Sequence, residues 1–473
     1  MLYNSFEFIL VFLPAALLLY FGAAAVSRGL ANGVLCAASL LFYAWPKPWG
    51  AAWEWDWRNL LLLLGSILVN FVLGAAIRRR PGRAKAALAF GVALNLAVLG
   101  YYKYANFALS NYSAVVGRDF SPLHIVLPLG ISFFTFTQIA FLVDAHNGKA
   151  RELDLTRYVL FVTFFPHLIA GPIVHHGQLM PQFSTDLAKR WNPANVHPGL
   201  AFFTLGLFKK VAIADGCAPW ATAVFDASHA PALEEAWRGA LAYTMQLYFD
   251  FSGYSDMAIG LGLLFNVRLP DNFDAPYRAT SVADFWRRWH ITLSRFLRDY
   301  LYIPLGGNRL GGPRRMFNLF VTMLLGGVWH GAGWTFVLWG AYHGVLLVLQ
   351  RLWGDRRPPP LLPARALTFL AVVVGWVVFR ATSVERAGEM LSGMVGLNGL
   401  AGASPSTSGN AWLVLAALLV FVNVAPTTKQ WVETRGLNAW RAVLLGTLFF
   451  FCLLLLRTNY LAQTASPFIY FQF

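Results

Sequence analysis

Apolar runs of about 17–25 residues recur along the whole chain, separated by short polar stretches, and each is long enough to cross a ~30 Å hydrocarbon layer as a helix. They fall near 7–26, 31–46, 60–77, 87–109, 123–143, 198–216, 238–265, 317–331, 334–350, 365–380, 410–425 and 441–457. A further run near 159–174 is interrupted by Pro166, Gly171 and Pro172. It is predicted to enter and leave on one side, because broken backbone survives at membrane depth only inside protein or beside water. The pattern predicts an all-α polytopic membrane protein of about 11–13 spans, with re-entrant and interfacial helices. No internal repeat or second soluble domain is visible, so residues 1–473 read as one integral membrane domain. Pro358–Pro360 and the Gly/Ser-rich stretch 399–409 read as loops.

Composition supports the membrane reading. Only 12% of the 473 residues are charged, against roughly 25% in a soluble domain, and 57% are hydrophobic. Many of the 18 Trp stand near the ends of apolar runs, where amphipathic rings settle in a bilayer. The formal charge of +15 does not indicate nucleic acid, because the charges lie in short loops between spans. Cys36, Cys217 and Cys452 have no metal-site or disulfide spacing and read as small helix-packing residues.

The basic loops set an orientation. Arg78, Arg79, Arg80, Arg83 and Lys85 share one short loop, the segment 266–316 is rich in arginine, and 351–365 holds Arg351, Arg356, Arg357 and Arg365. Residues 217–237 contain Asp226, Glu234 and Glu235 but no Lys or Arg. With 159–174 re-entrant, the positive-inside rule predicts that both termini are periplasmic. No Lys or Arg precedes the first apolar run, so 7–26 reads as a retained span rather than a cleaved leader.

Ionisable residues within such spans are expensive and are functional candidates by default. His330 lies in GGVWHGAGW (326–334), where one run turns back into the next among closely spaced glycines. An imidazole titrating near pH 6.5 can take a proton from a hydroxyl at neutral pH. The cytoplasmic stretch 283–305 predicts one interfacial amphipathic helix. Its apolar face holds Phe285, Trp286, Trp289, Leu293, Phe296, Leu297 and Tyr300, its outer face Arg287, Arg288, Arg295 and Arg298, and His290 points into protein. Those arginines suit lipid phosphates or the phosphates of a coenzyme A donor. In YFDFSGYSD (248–256), Asp250 and Asp256 sit in apolar sequence beside Ser252, Tyr254 and Ser255. They imply a polar cavity, buried partners, or the ion coupling of a transporter. His167 lies in the broken stretch, while His175 and His176 are adjacent and cannot face one metal from a helix. No serine-nucleophile elbow, Walker A or zinc-protease pattern occurs, and no metal site is expected.

With these residues in view, the chain resembles the membrane-bound O-acyltransferase family, in particular its bacterial branch acting on alginate, cellulose and peptidoglycan. The matching blocks are GYYKYANF (100–107), LPLGISFFTF (127–136), FFPHLIAGPI (164–173), LYFDFSGYSDMAIGLGLLF (247–265), DFWRRWHITLSRFLRDYLYIPLGGNR (284–309) and MLLGGVWHGAGWTFVLWGAYHG (323–344). The blocks follow in order along the chain, and the resemblance covers roughly residues 1–380; beyond that the likeness thins, apart from the ending SPFIYFQF.

The resemblance implies helices ringed around a tunnel, with His330 and His290 as catalytic histidines. The resemblance assigns no chemical step to YFDFSGYSD; Asp250, Ser252, Tyr254 and Asp256, with His167, Trp329 and Trp334, are expected as tunnel lining, and Arg287, Arg288, Arg295 and Arg298 at donor phosphates or lipid headgroups. The resemblance further implies acetyl-CoA as donor with no bound cofactor, an inner-membrane location, and transfer toward an exopolysaccharide or cell-wall glycan. The partners implied are a periplasmic serine-hydrolase-type acetyltransferase, the polysaccharide synthesis and export machinery, and membrane lipids. The alternative is an exporter of an acyl or glycan intermediate that performs no acyl transfer.

Overall fold

A computed structural model describes residues 1–45, 56–150, 153–184, 191–353, 360–401, 408–434, 436, 438–461 and 468–469. Pro358 and Pro359 of the predicted loop at Pro358–Pro360, and most of the loop at 399–409, lie outside the described residues. The described chain is helical, with no strand among the described residues. In order, the helices are α1 (Glu7–Val26), α2 (Arg28–Ala44), α3 (Trp57–Arg79), α4 (Pro81–Val116), α5 (Ile131–His146), α6 (Leu155–Thr163), α7 (Phe165–Leu168), α8 (His176–Leu179), α9 (Pro193–Phe208) and α10 (Asp215–Phe225). There follow α11 (Leu233–Leu264), α12 (Val282–Arg288), α13 (Ile291–Leu297), α14 (Gly311–His330), α15 (Trp334–Trp353), α16 (Leu361–Arg380), α17 (Val384–Met394), α18 (Ser408–Val424), α19 (Thr428–Glu433) and α20 (Ala439–Leu461).

Among the described residues, α1, α3, α4, α16 and α20 are long and apolar enough to cross a membrane. Their outward faces carry large apolar side chains: Leu18 is 76% exposed, Leu61 67% and Val443 61%. An apolar exterior of this extent marks a lipid-facing surface. Polar residues are turned inward instead. Asn70 on α3 and Asn95 on α4 exchange amide hydrogen bonds of 3.2 and 2.7 Å, and Gln138 on α5 donates to Ser66 at 2.9 Å.

Three segments depart from the predicted elements. The run at 123–143 becomes helical only from Ile131, because Pro122 and Pro128 hold the preceding residues out of helix. The run at 198–216 does not stop there: a π-helical turn at Lys209–Ala214 carries it into α10. The predicted single amphipathic helix over 283–305 is two helices, α12 and α13, with a corner between them.

The chain forms two compact units, neither contiguous in sequence. The first comprises Met1–Leu205, Tyr254–Pro270 and Leu437–Pro467; the second comprises Gly206–Gly253, Asp271–Gly436 and Phe468–Phe473. Within the second, α14 and α15 form a tight antiparallel pair joined at Gly331–Gly333. Glycines make the close approach possible. A Cβ at Gly327 would strike the Phe336 carbonyl oxygen and lie 2.7 Å from Gly340 Cα; one at Gly340 would lie 2.7 Å from the Met323 oxygen. These are backbone atoms and cannot swing aside. Gly327→Ala should therefore separate the helices at a cost of about 1–3 kcal/mol, read as a lower midpoint of thermal unfolding in detergent. An unchanged midpoint would contradict this packing.

Candidate functional site

His330 ends α14, and the chain leaves the helix through Gly331. The residue is 6% exposed. Its ring meets Trp329 and Trp339 at 5.0 Å between centroids and Phe379 at 5.4 Å, each nearly edge-on. One side remains open to a cavity of about 520 Å³, within the range typical of small-molecule sites. The wall from α14 is a helical stripe of Leu319, Thr322, Met323, Gly326 and His330. At ~1.5 Å rise per residue this stripe runs roughly 16 Å along the helix. Opposite stand Trp286, Leu293 and Leu297 from α12 and α13, with Trp339 and Leu347 from α15.

The rim of the same cavity is basic. Arg287, Arg295 and Arg298 belong to its lining, and all three are exposed. Arg287 pairs with Asp284 at 3.3 Å and Arg298 with Asp299 at 2.7 Å. No carboxylate is paired with Arg295 among the described residues. The void thus joins a buried imidazole to exposed guanidinium groups along an apolar wall.

His290 is placed differently. It caps α13 with left-handed backbone (φ 42°, ψ 55°), which turns the chain between α12 and α13. Such a conformation costs a non-glycine residue roughly 1–3 kcal/mol and persists only where its surroundings hold it. Here Asn272 holds the corner. Its backbone oxygen accepts from Ile291 N at 3.0 Å. Its side-chain oxygen accepts from Thr292 N at 3.2 Å, from Thr292 Oγ1 at 2.8 Å and from His290 Nδ1 at 3.1 Å. A backbone N–H can only donate, so the amide orientation is fixed and Nδ1 must carry the imidazole proton. The ring is fully buried, 4.7 Å from Phe251, and burial pushes its pKa down to about 3. His290 is not in the lining of the His330 cavity.

The sign of that shift gives a pH expectation. Between about 3 and the ordinary value of about 6.5 the unfolded chain binds a proton that the folded chain does not, so folding weakens as pH falls through that window. The thermal midpoint of the wild type should fall more between pH 7 and pH 5 than that of His290→Gln. Equal slopes would contradict a neutral, buried His290.

The amphipathic pattern over 283–305 places its faces as the periodicity requires, but against protein. Trp289 meets Trp376 at 4.8 Å, and Trp286 meets Trp339 at 5.6 Å. Arg288 bonds to Asp284 at 3.1 Å and does not line the cavity.

The YFDFSGYSD residues do not line this cavity either. Asp250 is 2% exposed and forms a 2.6 Å ion pair with Lys210, which also reaches Asp215 at 2.7 Å. Its second oxygen accepts from Ile469 N at 3.0 Å. Ser252 is buried, Asp256 half-buried, and Tyr254 stacks on Tyr3 at 4.7 Å. His167 is buried in the first unit beside Phe164. Trp329 touches the His330 ring, whereas Trp334 is 55% exposed and lies outside the lining. Residues not singled out from sequence prove central to the arrangement: Lys210, Asn272, Trp339 and His343. His343 obeys the same rule that drew attention to His330, an ionisable group in an apolar run. It is fully buried, 5.0 Å from Trp339 and 5.1 Å from Trp286.

Lipid-facing helices and an imidazole at the end of an apolar, basic-rimmed cavity define a polytopic membrane enzyme. Residues 131–384, which contain both His290 and His330, match the membrane-bound O-acyltransferase family. The chain belongs to that family and is an O-acyltransferase. It is 43% identical over 434 residues to a peptidoglycan O-acetyltransferase of Helicobacter pylori, covering 85% of this chain and 81% of that protein. It is 41% identical over 504 residues to a probable alginate O-acetylase of Pseudomonas putida, covering 100% of each. A teichoic acid D-alanyltransferase of Bacillus subtilis is more distant, at 29% identity over 54% of this chain and 67% of its own length.

Proposed function

We propose that the protein is an inner-membrane O-acetyltransferase that takes acetyl from cytoplasmic acetyl-CoA and passes it toward an extracytoplasmic polysaccharide. The observation that carries this reading is the single cavity joining exposed Arg287, Arg295 and Arg298 to buried His330. Coenzyme A has that polarity: phosphates for the arginines, a thin arm for the apolar wall, and a thioester for the imidazole. The acetyl branch is favoured over D-alanyl transfer by the greater identity to the two O-acetylating relatives. Their printed substrates, peptidoglycan and alginate, point to a glycan acceptor.

In the proposed step His330 takes the proton of the acceptor hydroxyl as that oxygen attacks the thioester carbonyl. The carbon–sulfur bond then breaks, and the proton passes to the leaving thiolate. Alternatively an imidazole nitrogen attacks the thioester carbonyl, the carbon–sulfur bond breaks and coenzyme A leaves as the thiol; the acceptor hydroxyl then attacks the acetyl-imidazole, the carbon–nitrogen bond breaks and the hydroxyl proton returns to the ring. His290 acts as a positioning residue, because its Nδ1 is committed to Asn272 and it stands behind the cavity wall. A periplasmic serine-hydrolase-type acetyltransferase is the proposed partner that carries the acetyl group onward to the polymer in a relay, together with the polymer synthesis and export machinery. The basic loops support an orientation with both termini periplasmic; a C-terminal alkaline phosphatase fusion should be active, and an inactive one would reverse it.

The donor is tested with purified protein and acetyl-CoA labelled in the acetyl group. Release of free coenzyme A thiol is expected, with Arg295→Glu raising KM for the donor at least tenfold and that effect weakening at high salt. An intact thioester after many equivalents of protein would sink the acetyl-CoA reading.

A further inference from the structure

The two glycines that precede Val328-Trp329-His330 do different work. Gly327 is filled on its open side by α15 backbone. Gly326 is buried on α14, yet a Cβ built there meets a single atom within 4 Å, the Leu297 Cδ1 tip at 3.2 Å. The rest of the space over Gly326 is the cavity, whose lining includes Gly326, Leu297 and His330. Position 326 is also four residues before His330, so both face the same side of the helix.

We infer that Gly326 is the specificity-determining position for the acyl group, and that the void it leaves against Leu297 takes the acyl carbons beyond the carbonyl. This rests on the acyl-CoA reading above and adds which acyl chains are used. An acyl carbonyl held at the imidazole must direct its alkyl end along one wall of the cavity. Toward Phe379, which is outside the lining, the ring contact of His330 closes the space, and the Trp339 ring walls the cavity beside the imidazole. One helical turn back along α14 the missing side chain leaves it open. The boundary there is Leu297, whose methyl group would touch a side chain at 326 and hence also an acyl methyl occupying that place. The site is therefore sized by two residues on facing elements, one absent side chain and one flexible tip.

Leu297 can yield to a small group, and alanine is a better helix former than glycine, so Gly326→Ala should fold at least as well as the wild type. This separates a size role from a packing role, because the Gly327 substitution lowers the thermal midpoint while the Gly326 substitution does not. The experiment measures kcat/KM of the purified membrane protein for acetyl-, propionyl- and butyryl-CoA in wild type, Gly326→Ala and Leu297→Ala. One methylene in an apolar pocket changes discrimination by roughly 10–200-fold. Gly326→Ala should lose butyryl and propionyl transfer first and acetyl transfer by about tenfold. Leu297→Ala should raise the butyryl-to-acetyl ratio about tenfold. Ratios within twofold of wild type in both folded variants would overturn the inference while leaving acyl transfer standing. A wild type that turns over none of the three thioesters would overturn both. Should Gly326→Ala fail to fold, Leu297→Ala alone decides, since an unchanged ratio there refutes the proposed boundary.

Discussion

Replacing His330 with alanine is expected to cut transfer from acetyl-CoA by roughly 10²–10⁴-fold, the range lost when a positioned general base is removed. The protein should still reach the membrane, because the ring's neighbours Trp329, Trp339 and Phe379 remain packed around α14 and α15. His330→Gln keeps much of the volume and supplies no titrating nitrogen, so it should be equally inactive. The alanine variant opens a hole continuous with the existing 520 Å³ cavity. Added imidazole should therefore restore part of its activity and do nothing for His330→Gln. Polymer O-acetyl content measured in cells should track the same order. Wild-type acetylation by either variant, with the protein present in the membrane, would remove His330 from the mechanism.

Lys210→Met is expected to be the most destabilising change away from the cavity. It strands Asp215 and Asp250 together in a site where Lys210 itself is 1% exposed. Removing one partner of a buried ion pair costs about 3–5 kcal/mol, because the remaining charge is left without compensation. Asp250→Asn should be far milder. The Lys210–Asp215 pair survives, and the amide oxygen can still accept from Ile469 N. The expected outcome is aggregation or loss of Lys210→Met on detergent extraction, with Asp250→Asn monodisperse and largely active. The comparison also separates two roles for Asp250. A carboxylate in contact with substrate would make Asp250→Asn folded but inactive.

Much of this was legible in the sequence where a local rule governs. Apolar runs marked the helices, and the glycine-flanked His330 marked a turn between two of them. The periodicity over 283–305 sorted Trp286 and Trp289 from Arg287 and Arg295 correctly. What escaped was every feature set by a neighbour remote in the chain. The helix breaks at His290 because Asn272, in a loop, offers its carbonyl and side-chain oxygens to that corner. Nothing in the 283–305 pattern registers such a partner. Asp250 looked like cavity lining because its counter-ion sits forty positions earlier on a π-helical turn. Gly326 and Gly327 are indistinguishable as letters. Only the element opposite each one shows that the first borders a void and the second a backbone.

The proposed donor lies along α14 with its acyl end at His330. The most direct measurement is a cryo-EM structure of the protein with a hydrolysis-resistant acetyl-CoA analogue, at saturating concentration. The expected density places phosphates beside Arg295 and Arg298, an arm past Leu319 and Met323, and the acyl carbonyl within hydrogen-bonding reach of the His330 ring. An analogue bound elsewhere, or a cavity left empty beside His330, would contradict the account.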